Sequence, residues 1–157
     1  DILAQFDWRV KRFQPDLFCL MIGMNDCRKK PDFWMETSEF EANLKEIIRR
    51  VRAETPAEVL LQTSCAGIME RMAERARYPE FMDIVRKVAA DLDVAFIDHH
   101  AQWEKVRLTE PKKFESWMGN PYHPNGMGHW VFAERILIEL GIGPLKGTPP
   151  PRIIPKA

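Results

Sequence analysis

Cysteine is scarce in this chain. There are three, Cys19, Cys27 and Cys65, too few and too scattered for a disulfide framework, and no pair has metal-ligand spacing. Their odd number leans towards a reducing compartment, which favours the cytoplasm. An excess of either charge is also missing: 23 Lys and Arg balance 23 Asp and Glu. That balance removes any electrostatic reason to expect nucleic acid or an anionic membrane as partner. Long apolar runs are lacking too; the longest, Leu17 to Ile22, is the length of a strand and not of a membrane span. There is no internal repeat and no low-complexity block. Nor does the chain open on Met: it opens on Asp1 in mid-pattern, with Ile2, Leu3, Phe6, Val10 and Phe13 at helical spacing. A helix starting so abruptly implies preceding sequence, so a missing leader says nothing about compartment.

What is present reads as one ordinary globular domain. Its 157 residues, 45% hydrophobic and 29% charged, suffice for one core. The first helix is expected to end near Phe13. The continuous apolar run Leu17–Ile22 fits a strand buried on both faces of a parallel sheet, with Cys19 as a small core residue. Pro31 and Asp32 mark a loop. Ser38 and Glu41 have the spacing of a capping box, opening a helix with the stripe Phe40, Leu44, Ile47, Ile48 and Val51. Glu58–Thr63 is a second strand. A helix striped by Phe81, Ile84, Val85, Val88, Ala89 and Leu92 precedes a third, Val94–Asp98. A short helix is expected from His100 to about Val106, a loop from Pro111 to Asn120, and a last helix from Gly126 to Leu140. Residues 1–143 should form the domain, and 144–157, with three consecutive prolines, an extended tail.

Helices and strands alternate throughout. That order implies a parallel sheet with right-handed crossovers in a three-layer α/β/α sandwich. Ligands of such sheets sit outside the carboxyl ends of the strands. Two segments there could carry chemistry. Gly23-Met24-Asn25-Asp26 follows the first strand; the Asn25 amide could donate to a developing oxyanion, although these residue types also make ordinary turns. His123, between Pro121 and Pro124, precedes the last helix. Imidazole suits proton transfer near neutral pH, and a surface-loop histidine is the competing reading. Asp98-His99-His100 lacks a third ligand at matching spacing and reads as structural, so no metal is expected.

Together the two segments resemble the SGNH, or GDSL-type, hydrolases. Gly23-Met24-Asn25-Asp26 is similar to that family's third sequence block, and Asn120-Pro121-Tyr122-His123 to its last. The resemblance extends to about Gly141. It implies the flavodoxin-like SGNH fold, an esterase acting on short acyl or carbohydrate acetyl esters, and no cofactor. His123 would be the general base, Asn25 an oxyanion donor, Gly23 the residue permitting close approach, and Asp26 a loop-orienting residue. Trp117 and Tyr122 could line a substrate pocket or simply cover a core.

Two departures from the family pattern qualify this. Its Gly-Asp-Ser block and second-block glycine are absent and should precede Asp1. Ser38, Ser64 and Ser116 lack a nucleophile's context; Ser64 follows a strand but has no Gly-x-Ser-x-Gly elbow. Asn120 stands where the family has an aspartate; a neutral amide can accept a hydrogen bond from imidazole but supplies no charge. This chain alone is therefore expected to be inactive. Without a first strand, Leu17–Ile22 would be an open edge needing a missing N-terminal segment or a partner chain. The competing reading is a non-catalytic binding or scaffold domain of the same fold. Residues 65–78 and 111–120 are expected to set specificity.

Overall fold

The computed structural model describes residues 2–30, 34–145 and 147. The expected loop at Pro31 and Asp32, and most of the expected tail, lie outside the described residues. The chain divides into two compact units: Asp1–Ser64 with Glu74–Asp98, and Cys65–Ala73 with His99–Ala157.

The first unit is built on a parallel sheet of order β1-β2-β3, with β1 at Leu17–Met21, β2 at Glu58–Gln62 and β3 at Ala95–Ile97. Leu17 pairs with Glu58 and Met21 with Gln62; Leu60 pairs with Ala95 and Gln62 with Ile97. The crossovers run through α2, Thr37–Glu54, and α3, Tyr78–Asp91. Two right-handed crossovers stepping the same way across a sheet put their helices on one face. The side-by-side packing of Phe40 and Phe81, ring centroids 4.8 Å apart, agrees. The expected α2 stripe, Phe40, Leu44, Ile47, Ile48 and Val51, is buried along its length.

Four local expectations fail in this unit. β1 is not buried on both faces: of its residues only Leu20 is buried, Leu17 is 42% exposed, and Cys19 is exposed rather than in the core. Among the described residues β1 pairs with β2 alone and is an edge strand. The capping box does not form, because α2 already begins at Thr37 and Ser38 lies inside it. Glu41 instead binds Lys45 at 2.7 Å and also Lys87. The first helix is not continuous. Only Phe6–Arg9 (α1) is α-helical, between 3-10 turns at Leu3–Gln5 and Lys11–Phe13. Only Phe6 and Val10 of its expected stripe are buried, too little to propagate a helix. The third strand spans three residues, Ala95–Ile97, not five.

The second unit packs α4, His99–Thr109, α5, Pro111–Trp117, and α6, Gly126–Glu139. Its centre is aromatic. Trp103 stacks on Phe132 at 4.9 Å and meets Trp117 and Phe114 edge-on at 5.1 and 6.4 Å. The loop expected from Pro111 onward is a helix as far as Trp117. Proline fits the first turn of a helix, where its missing N–H costs nothing, and Phe114 and Trp117, three apart, bury one face. The last helix begins at Gly126 as expected, and its buried residues are Gly128 and Phe132.

Candidate active site

The first unit carries the Asn25 loop. Gly23, just past β1, has φ +116°, and a Cβ there would lie 2.7 Å from Met82 Cε. The positive φ is what calls for glycine, since the flexible end of Met82 could yield. Its N–H donates to Asp26 Oδ2 at 3.1 Å. The turn is closed by Cys27 N–H to Gly23 O at 3.1 Å and Arg28 N–H to Asn25 O at 3.2 Å. The Asn25 side chain is exposed. A cavity of about 570 Å³ opens beside Asn25 and Asp26, walled by Ile22, Met35, Phe40 and Leu44 among others.

Arg75, which the sequence did not single out, reaches this loop from a 3-10 turn fifty residues away. Its Nε donates to Met24 O at 3.0 Å and its Nη2 lies 3.4 Å from Asn25 Oδ1.

The second unit carries the His123 loop, which leaves α5 and returns to open α6. Met118 and Pro124 form an antiparallel bridge. Gly119 and Asn120 N–H both donate to His123 O, at 2.9 and 3.3 Å, and Asn125 N–H donates to Trp117 O at 2.8 Å. Asn125 then caps α6. Its Oδ1 accepts from Met127 and Gly128 N–H at 2.9 and 3.1 Å, and its Nδ2 donates to Ser116 O at 2.8 Å. One amide thereby ties the end of α5 to the start of α6. Sequence reasoning missed Asn125, although asparagine just before a helix is an N-cap signal.

His123 itself is exposed. Asn120 Oδ1 accepts the N–H groups of Tyr122 and His123, each at 2.9 Å, and lies 3.1 Å from His123 Nδ1. The two backbone donors decide which way the amide faces, because turning it over would set NH2 against two N–H groups. The atom facing Nδ1 is therefore an acceptor, and Nδ1 must carry the proton. In the neutral ring Nε2 then holds a lone pair, the arrangement a general base requires. The Tyr122 ring lies 6.2 Å from that of His123. Trp117 is 7% exposed and packs inward on Trp103.

The structure thus groups Gly23, Asn25 and Asp26 with Arg75 in one unit, and Asn120, Tyr122 and His123 in the other. Ser38 lies within α2, Ser116 Oγ donates to Lys113 O at 2.7 Å, and Ser64 follows β2. Among the described residues no group of three His, Cys, Asp or Glu side chains is placed to hold a metal ion, and no helix is long and apolar enough to cross a membrane.

Comparison with known proteins bears on this geometry. An acetylxylan esterase of Geobacillus stearothermophilus is 24% identical over 147 residues, covering 90% of this chain and 66% of its own length. The chain thus spans just under two thirds of that relative. A solved structure of a catalytic mutant of that bacterium's acetylxylan esterase, an aspartate replaced by alanine, superposes with a TM-score of 0.75 at 22% identity, covering 94% of this chain and 69% of that one. Other catalytic mutants of the same esterase replace a serine or a histidine, the histidine lying three residues after the aspartate. A lipase/acylhydrolase from Enterococcus faecalis gives 0.70 at 19% identity, covering 92% and 72%. The shared fold is the three-layer α/β/α fold of SGNH hydrolases. The family model described as GDSL-like Lipase/Acylhydrolase matches residues 1–131, most of the chain, and the chain belongs to that family of hydrolases.

Proposed function

We propose that this chain is the base-and-oxyanion portion of a serine esterase that removes short acyl groups, acetyl groups on carbohydrate in particular. The observation that carries the reading is the 3.1 Å approach of Asn120 Oδ1 to His123 Nδ1, which favours the tautomer with the proton on Nδ1 and Nε2 as acceptor. In the reaction a serine hydroxyl, supplied by residues outside this sequence, attacks the ester carbonyl. His123 Nε2 takes the hydroxyl proton and delivers it to the departing alcohol. The Asn25 amide donates to the oxyanion of the tetrahedral intermediate. Water then attacks the acyl-serine carbonyl and loses a proton to His123, which returns that proton to the serine oxygen as the serine–acyl bond breaks and the acid leaves. The acetylxylan esterase relative supports the acetyl-carbohydrate substrate class.

One observation favours a second reading. Asn120 offers an amide where the esterase relative's catalytic aspartate would be expected, three residues before the histidine. A binding domain that has given up catalysis would tolerate that change. One experiment separates the two. The native gene product containing this chain is assayed on p-nitrophenyl acetate and on acetylated xylooligosaccharides. The esterase reading expects turnover, and a loss of about a thousandfold or more in His123→Ala. A folded protein without turnover overturns it in favour of the binding domain, and an undiminished His123→Ala variant overturns the assignment of His123 as the base.

A further inference from the structure

Arg75 occupies a place the proposed chemistry leaves unexplained. Its side chain is 8% exposed, and a guanidinium that deeply placed must satisfy its donors within the protein. It binds the Glu74 carboxylate at 2.6 Å. Two further contacts fall on consecutive residues of the loop after β1: the Met24 carbonyl at 3.0 Å and the Asn25 side-chain carbonyl at 3.4 Å. The neighbouring backbone adds a further brace, Lys29 N–H donating to Glu74 O at 2.8 Å.

We infer that Arg75 is the positioning residue for the Asn25 amide, and this rests on the reading of Asn25 as an oxyanion donor. The geometry supports the inference in two ways. Engaging Oδ1 decides which end of the amide is committed to the protein and leaves Nδ2, the end that can donate, turned away from Arg75. The positive charge also sits directly behind the amide carbonyl. It draws electron density towards oxygen and makes the Nδ2 hydrogens better donors to a developing negative charge. The planar fork matters: an Nε and an Nη reach two oxygens at once, which a lysine ammonium on a flexible stem does not hold in fixed geometry. The hydrogen bond to Met24 O is the anchor and the longer Nη2 contact sets the amide.

A double-mutant cycle in the native gene product tests this, with kcat and KM measured on p-nitrophenyl acetate and folding checked by circular dichroism. Asn25→Ala is expected to lose about a hundredfold to a thousandfold in kcat, the usual effect of removing one oxyanion donor. Arg75→Gln is expected to lose about tenfold to a hundredfold in kcat with KM little changed, as small misplacements of a catalytic group do. In the Asn25→Ala background the Arg75→Gln loss should vanish. A merely structural arginine would cost the same factor in both backgrounds, and that additivity overturns the inference. If Asn25→Ala leaves kcat unchanged, the oxyanion reading itself fails. If Asn25→Ala is slow and Arg75→Gln is as fast as the wild type, the inference about Arg75 alone fails. Should Arg75→Gln not fold, the same cycle is run with Arg75→Lys, which keeps the charge but loses the fork, and the same coupling decides.

Discussion

Asn120 Oδ1 lies 3.1 Å from His123 Nδ1 while accepting two backbone N–H groups of the same turn. One neutral oxygen therefore shapes the loop and orients the ring. It does the geometric half of a triad carboxylate's work and none of the electrostatic half.

That separation predicts the effect of restoring the charge. Asn120→Asp keeps the shape and every acceptor contact, and adds a carboxylate beside the imidazolium that forms during the reaction. The native gene product carrying it is expected to turn over p-nitrophenyl acetate about tenfold faster, equivalent to about 1.4 kcal/mol of added transition-state stabilisation. Asn120→Ala should slow kcat by about tenfold or more, because the tautomer is no longer fixed. An aspartate variant slower than the wild type would contradict the assigned role of Asn120.

The loop bearing His123 depends on close approach at Gly128. A Cβ there would sit 2.5 Å from the Trp117 carbonyl oxygen, 2.5 Å from Pro124 Cβ and 2.9 Å from Trp103. Backbone cannot yield as a flexible side chain can. Gly128→Ala is expected to cost about 1–3 kcal/mol in urea unfolding. Gly119→Ala, whose new Cβ would meet nothing nearer than 3.6 Å, is the control and should unfold near the wild-type midpoint. Equal midpoints for the two variants would show that α6 does not rest on the loop in this way.

Much of the architecture was legible because it is written in local periodicity. The α2 stripe from Phe40 to Val51 and the run of β2 each state their own burial. What escaped depended on neighbours that no window contains. β1 reads like a central strand, since nothing in Leu17–Met21 records how many strands flank it. Pro111 looked like a breaker, yet it starts α5, because burial of Phe114 and Trp117 against Trp103 decides the matter. Ser38 and Glu41 had capping-box spacing, but α2 begins at Thr37, so Ser38 lies inside the helix and cannot cap it. The candidate site divides the same way. Asn25 and His123 stood out through motif and spacing. Arg75 could not, since its significance lies in reaching Met24 and Asn25 across fifty residues.

The thiols should differ sharply in reactivity. Burial pushes the Cys27 thiol from its ordinary value of 9.0 up to about 11, an effect partly offset by Arg75. Its Sγ also donates to Met24 O at 3.2 Å. Cys65 is buried and Cys19 exposed. In the native protein at pH 8, iodoacetamide should modify Cys19 first, with Cys27 and Cys65 protected until the chain unfolds. Folding favours the neutral thiol of Cys27, so its contribution is complete below about pH 9 and is lost as pH rises towards 11. Between pH 8 and 11 the urea midpoint of the wild type should fall further than that of Cys27→Ala. Parallel curves, or rapid alkylation of Cys27 in folded protein, would rule this out.

Among the described residues β1 pairs with β2 alone, so its outer row of N–H and C=O groups has no strand partner. Leu17 is 42% exposed on it and Cys19 is exposed as well. An apolar strand with an open edge invites another strand. We expect a strand from elsewhere in the same polypeptide, or from a partner chain, to occupy it. Residues 1–157 expressed alone should therefore self-associate at micromolar concentrations, as read by sedimentation. Leu17→Lys should shift the sample towards monomer, because a charge on the edge opposes strand addition. The native gene product should sediment as a smaller species than the isolated chain's assemblies if its own flanking sequence fills the edge, and with a second polypeptide if a partner does. A monomeric, cooperatively melting sample of residues 1–157 would refute the open edge as a docking strand.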